Sequence, residues 1–335
     1  MITARAPLRI SFAGGGTDIS SYYKKYGGLV INTTINKYVY AFIETTHAGL
    51  ELNSLDLSIF ETYDFNNLNI HSKLILHFSV YNYFVHNFNQ GKNIPLRIST
   101  LSEAPIGSGL GSSSTIVVAL VKAFVHFFNL DLDKHEIAEI AYKIERNDCK
   151  INGGKQDQYA SAFGGINYIE FKKNQDVCLE PLSLGNSMKN ELESGLLIYF
   201  SGVSRDSSEI IADQVNSISD TSLDALHELK NLTVLMRNAL LNGDLDNFCN
   251  CLNLGWKTKK LTSKKITNSN IDSIISHGIK WGSKACKVSG AGGGGFIIFY
   301  VPVEKRISFI KEMKHFGGEF LTILFSDSGV VSWES

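Results

Sequence analysis

The chain has 335 residues, of which 44% are hydrophobic and 19% charged, with a formal net charge of -1. That apolar content supports a sizeable core, and the length suits two packed domains, which excludes a disordered chain. No basic tail or block is present, so no nucleic-acid partner is expected, although a local basic pocket for phosphate stays open.

Residues 1–16 lack an apolar leader, so no signal peptide is expected. Leu8, Ile10 and Phe12 alternate with Arg9 and Ser11, which predicts a strand running into Gly14-Gly15-Gly16-Thr17-Asp18. Residues 29–45, rich in Val, Ile, Tyr and Thr, predict further strand. Residues 74–88 predict a helix with an aromatic stripe, read as core packing, and 94–101 alternates again as a strand. Next come residues 104–114 and an apolar helix to about residue 128. Lys122 and His126 interrupt that helix, so no membrane span is expected and the protein reads as cytoplasmic. Residues 134–146 predict an amphipathic helix with Ile137, Ile140, Ala141 and Ile144 on one face. Gly153-Gly154 breaks the chain before a short helix at 156–163 and strands at 166–171 and 178–184. A boundary at 185–195 divides the chain into an N-terminal domain, 1–188, and a C-terminal domain, 189–335. The second half predicts a strand at 196–200, three or four helices between 208 and 281 and a strand at 296–301. A helix near 303–316 and strands at 320–325 and 330–333 complete it. The five cysteines form no CxxC pair and read as reduced thiols.

Three glycine clusters stand out, at 14–16, 107–111 and 290–295. Gly107, Gly109 and Gly111 precede Ser112-Ser113-Ser114 at a helix start, where free N–H groups and the positive dipole end attract phosphate. The serines could cap the helix, bind phosphate or reach a magnesium ion. A plain turn with a cap is the competing reading. The Walker A pattern is absent. Residues 290–295 match GxGxxG by letter, but a strand follows instead of a helix, so the dinucleotide-binding context fails. That cluster reads as a turn between strands, packed close to a ligand or a neighbouring backbone. Glu145 and Asp157 could serve phosphoryl transfer, one on magnesium and one at the attacking hydroxyl. From spacing alone, a solvated helix-end charge and an ordinary first-turn residue are the preferred reading.

Three segments together resemble the GHMP kinase superfamily of small-molecule kinases. They are residues 6–18, the run Pro105-Ile-Gly-Ser-Gly-Leu-Gly-Ser-Ser-Ser114, and Lys287-Val-Ser-Gly-Ala-Gly-Gly-Gly-Gly295. The resemblance implies an α+β fold of two domains with the active site in the cleft between them, and ATP and Mg2+ as cofactors. It makes Gly107, Ser108, Gly109, Leu110, Gly111, Ser112, Ser113 and Ser114 the ATP phosphate-binding segment. Ser113 and Glu145 become metal ligands, and Asp157 and Arg9 catalytic residues. Gly16, Thr17, Asp18, Lys155, Arg205, Gly292 and Gly293 fall on the substrate side. Residues 12–18, 153–158 and 202–205 look most like the branch acting on D-glycero-D-manno-heptose 7-phosphate at its anomeric hydroxyl, for nucleotide-activated heptose synthesis. The implied partners are thus a sugar phosphate and ATP. A fucokinase- or galactokinase-like enzyme and a non-catalytic sugar sensor are the alternatives.

Overall fold

The computed structural model describes residues 1–65, 72–105, 107–202, 207–216 and 220–335. In chain order its strands are β1 (Ile2–Ala13), β2 (Gly28–Thr45), β3 (Leu50–Ser54), β4 (Ile59–Tyr63), β5 (Leu96–Ser102) and β6 (Ile166–Phe171). Then come β7 (Val177–Pro181), β8 (Leu196–Phe200), β9 (Ala285–Val288), β10 (Phe296–Tyr300), β11 (Glu319–Leu321) and β12 (Val331–Glu334). The larger sheet has eight strands and runs β12-β1-β2-β5-β3-β4, with β6 also paired to β2 and β7 paired to β6. Along one edge of β2, the first half pairs β6 and the second half pairs β5. The smaller sheet runs β11-β8-β10-β9. The α+β class implied by the motifs is the class observed.

The helices are α1 (Ser20–Tyr26), α2 (Ile75–Phe88), α3 (Ser112–Phe127), α4 (Lys134–Lys143), α5 (Gln156–Phe163), α6 (Asn186–Gly195), α7 (Ser207–Asn216), α8 (Asp220–Asn242), α9 (Leu245–Lys259), α10 (Ser269–Lys280) and α11 (Arg306–Met313). α3 is apolar all round because it is buried all round, between β1 and β2 on one side and α2, α4 and α5 on the other. The aromatic stripe of α2 is core packing: Phe84 stacks on Phe124 of α3 with centroids 5.0 Å apart. Asp133 and Glu136 form a reciprocal capping box that starts α4. α4 then loosens into a π-helical turn, Ile144–Asp148, which turns Glu145 into the interior.

The two sheets do not divide along the chain at residue 188. β12 returns from the far end to pair antiparallel with β1. The main core also runs through Met236, Phe248, Leu252 and Phe296 without a break. Of the strand expected at 320–325, only Glu319–Leu321 is strand; Phe325 makes a lone bridge with Ile35. Among the described residues, no helix is long and apolar enough to cross a membrane.

Candidate active site

β1 slips register against β2 on both sides of Arg9, between Pro7 and Arg9 and again between Ser11 and Ala13. Such irregularities re-aim a strand's side chains. Arg9 is buried, and its guanidinium grips Asp157 in a bidentate pair, Nε to Oδ1 at 2.7 Å and Nη2 to Oδ2 at 2.7 Å. Its Nη1 donates to the Gly109 carbonyl at 2.7 Å, and its backbone N–H to the Leu110 carbonyl at 3.1 Å. Asp157 sits in the first turn of α5, where the helix dipole favours a carboxylate. One arginine thus ties a strand, a helix and the glycine loop together.

That loop lines a cavity of about 570 Å³, along with Arg9, Asp157, Asp18 and Glu145. Gly111 caps α3 in the left-handed region, φ +77°, with no side-chain cap. A Cβ there would stand 3.3 Å from both Arg9 Cζ and Asp157 Cγ, so glycine lets the loop pass across the pair. Ser113 and Ser114 turn to Glu145: Ser113 Oγ donates to Oε1 at 3.0 Å and Ser114 Oγ to Oε2 at 2.6 Å. The first-turn N–H groups of α3, which have no acceptors within the helix, are left for a ligand. Ser108 Oγ is buried without a partner among the described residues, and Leu110 is packed in the core. Glu145 also accepts from Gln158 Nε2 at 2.7 Å and pairs with Arg146 at 3.2 Å.

Ser113 and Glu145 offer two hard oxygen donors side by side next to the loop. Magnesium commonly takes few protein ligands and completes its shell with phosphate oxygens and water. Among the described residues no three His, Cys, Asp or Glu gather as a metal cage, so the protein would supply part of the shell only. The donor set fits that ion.

Asp18 is buried at the cavity wall and accepts from the N–H groups of Gly16, at 3.0 Å, and Gln156, at 3.2 Å. Burial, with the charge of Asp157 second, raises its pKa above the ordinary carboxylate value. Gly16 lines the cavity beside it. Thr17 does not. Its hydroxyl is bonded to the carbonyls of Gly14 and Leu29, each at 2.8 Å, and accepts from Leu29 N–H, fastening the glycine turn to β2. Lys155 lines a neighbouring hollow of about 750 Å³ instead, with its ammonium 2.6 Å from Glu139 and over the Tyr142 ring. Arg146 borders both cavities. Arg205 lies outside the described residues.

The 290–295 segment joins β9 to β10, and what it packs against is a neighbouring backbone. A Cβ on Gly290 would come within 2.7 Å of Gly109 Cα, and one on Gly295 within 2.2 Å of the Ser108 carbonyl. Phe296 N–H donates to that carbonyl at 2.9 Å, and Ser289 Oγ to the Gly109 carbonyl at 2.8 Å. Gly290 and Ala291 reach the cavity. Gly292 and Gly293 face Ile266 instead, with Gly293 N–H on its carbonyl at 2.7 Å.

Two buried lysines have no role assigned by the sequence motifs. Lys259, at the end of α9, lines the cavity, and burial lowers its pKa to about 8 against the opposing pull of Asp18. Lys287 on β9 donates to the Phe12 carbonyl at 3.1 Å, and burial, reinforced by Lys259 and Arg9, holds its pKa well below the ordinary value. The far end of the cavity is closed by Leu57 and by residues 73–77, including a buried His77 bonded to Thr100 Oγ1 at 2.8 Å. Burial pushes the His77 pKa down to about 4, so it stands neutral.

Comparison with known proteins gives the family of the chain. Residues 74–165 match the GHMP kinases N terminal domain and residues 236–314 match GHMP kinases C terminal. The chain is 37% identical to a D-glycero-alpha-D-manno-heptose 7-phosphate kinase of Campylobacter jejuni, over 99% of this chain and 98% of that one. A crystal structure named as a D-glycero-D-manno-heptose 1-phosphate kinase of Bacteroides thetaiotaomicron superposes with a TM-score of 0.85. It is 35% identical over 100% of this chain and 99% of that one. The mevalonate kinase of Methanococcus jannaschii shares the fold, with a TM-score of 0.77 at 22% identity over 97% and 98% of the two chains. With its motif loop, bidentate Arg9–Asp157 pair and full-length relatives, this chain belongs to the GHMP kinase family.

Proposed function

We propose that this protein transfers the γ-phosphoryl group of ATP to the anomeric hydroxyl of D-glycero-D-manno-heptose 7-phosphate. The observation that carries the reading is the Arg9–Asp157 pair, held beneath the Gly107–Ser114 loop in one cavity with Asp18. Phosphoryl transfer needs positioning and charge neutralisation more than covalent chemistry, and this cavity offers both. The loop and the start of α3 hold the β- and γ-phosphates by N–H groups. Ser113 and Glu145 would hold a Mg2+ ion, which would offset the phosphate charge. Asp157, fixed in plane by Arg9, steers or accepts the proton of the attacking hydroxyl. The acceptor oxygen bonds to the γ-phosphorus, and the bond to the β,γ-bridging oxygen breaks, leaving ADP. Asp18 and Gly16 face the sugar. Arg146, which borders the cavity, is the cation assigned to the acceptor's own phosphate, with Arg205 as a second candidate from the motif. The cleft lies between β1, the loop and α3 on one side and α7, the end of α9 and the β9–β10 turn on the other.

The heptose assignment is supported by the Campylobacter relative, similar over the full length. An ADP-release assay compares heptose 7-phosphate with free galactose and fucose, and phosphorus NMR identifies the position phosphorylated. A 1,7-bisphosphate is expected. Turnover of a free hexose with heptose 7-phosphate inert overturns the acceptor. In Asp157→Asn, kcat falls by about 10²–10⁴ with the melting temperature retained. Full activity in that variant removes Asp157 from the reaction.

A further inference from the structure

The cations of the cavity are not equivalent. Arg9 has three of its donors committed, two to Asp157 and one to the Gly109 carbonyl. Lys259 ends α9 with its ammonium buried, and among the described residues its one hydrogen bond goes to the Gly290 carbonyl. Among the described residues no carboxylate stands within ion-pair distance of it. A buried ammonium so placed is costly unless something negative joins it.

Its surroundings say where that negative charge arrives. A Cβ added to Gly15 would lie 3.6 Å from the Lys259 Nζ and equally far from Gln156 Nε2 and Ser11 Oγ. Gly290, which holds the ammonium, packs against Gly109 of the phosphate loop. The charged groups acting on it are Asp18 beyond β1, Arg9 on β1, Asp157 on α5 and Lys287 on β9. Lys259 therefore stands between the acidic acceptor wall and the phosphate loop, where a group in transit must pass.

We infer that Lys259 donates to an oxygen of the phosphoryl group during transfer, an inference that rests on the kinase reading above. Charge on the equatorial oxygens at that moment is met by a cation already in place, in a site that excludes most water. In the free protein burial lowers the Lys259 pKa to about 8, so kcat/KM falls above that pH. Bound phosphate favours the charged form, so kcat itself holds to higher pH.

Two variants test this. Lys259→Met is expected to lose about 10²–10³ in kcat, with the Kd of ATP changed by less than about threefold. It should melt no lower than wild type, because a desolvated charge is removed. Lys259→Arg keeps the charge at all working pH and is expected to retain part of the activity while losing the fall of kcat/KM above pH 8. Wild-type kcat in the methionine variant, or an unchanged alkaline limb in the arginine variant, overturns the assignment. So does a lower melting temperature in the methionine variant whose activity returns on cooling, because that marks a structural role. Wild-type protein that releases no ADP with any acceptor ends the kinase reading and this one with it. Active wild type beside an equally active Lys259→Met ends only this one.

Discussion

The segments 107–111 and 290–295 look alike in composition and do different work. The first lines the cavity, its positive-φ glycines leading the chain across Arg9 and Asp157 into α3. The second is mostly a brace, pressed backbone to backbone on Ser108 and Gly109. Glycine allows close approach in both: the first passes close over Arg9, Asp157 and Ser289 while lining the cavity, and the second presses on the first. A glycine-rich run therefore marks where backbone must come close, and only the folded neighbourhood says to what.

Substitutions that add one methyl group can separate the two roles. The largest effect is expected for Gly295→Ala, where the new Cβ would meet the Ser108 carbonyl at 2.2 Å with φ at +80°. Neither backbone has a flexible end to yield. Stability should fall by about 2–4 kcal/mol by thermal melt, and kcat with it, as the loop loses its brace. If only one of the two changes, the brace reading is wrong. Gly111→Ala should cost less stability, about 1–2 kcal/mol from its left-handed backbone. It should still cut kcat sharply, because its Cβ would press on the Arg9–Asp157 pair from 3.3 Å. A variant that melts early but turns over normally would break the contrast. Gly185→Ala is the small end of the series: nothing lies within 4 Å, and it should stay within about 0.5 kcal/mol with unchanged kinetics.

Much of this was legible in the chain itself. Alternation marked β1, β-branched and aromatic residues marked β2, and an apolar run marked α3, because these elements report their own burial. Arg9, Gly107, Gly109, Gly111–Ser114, Glu145 and Asp157 line one cavity in the folded chain. What stayed hidden depends on neighbours. β3 and β4 are five residues each, and β4 is half exposed, so its periodicity carries no strong signal. Thr17 and Lys155 sit next to cavity residues in sequence, yet one is bonded to backbone and the other drawn off by Glu139. Lys259 lies in no motif and Lys287 only opens the third glycine segment, and tertiary packing alone buries both.

The bond from Phe296 N–H to the Ser108 carbonyl has a consequence for assembly. A chain growing from a ribosome completes the phosphate loop long before the strand that holds its carbonyl in place has been made. Contacts of such sequence separation form late and slowly. The larger sheet's early strands can collapse around α3 while the loop still lacks its far support. The Ser108 carbonyl therefore gains its strand partner only after Phe296 has been made and β10 has docked.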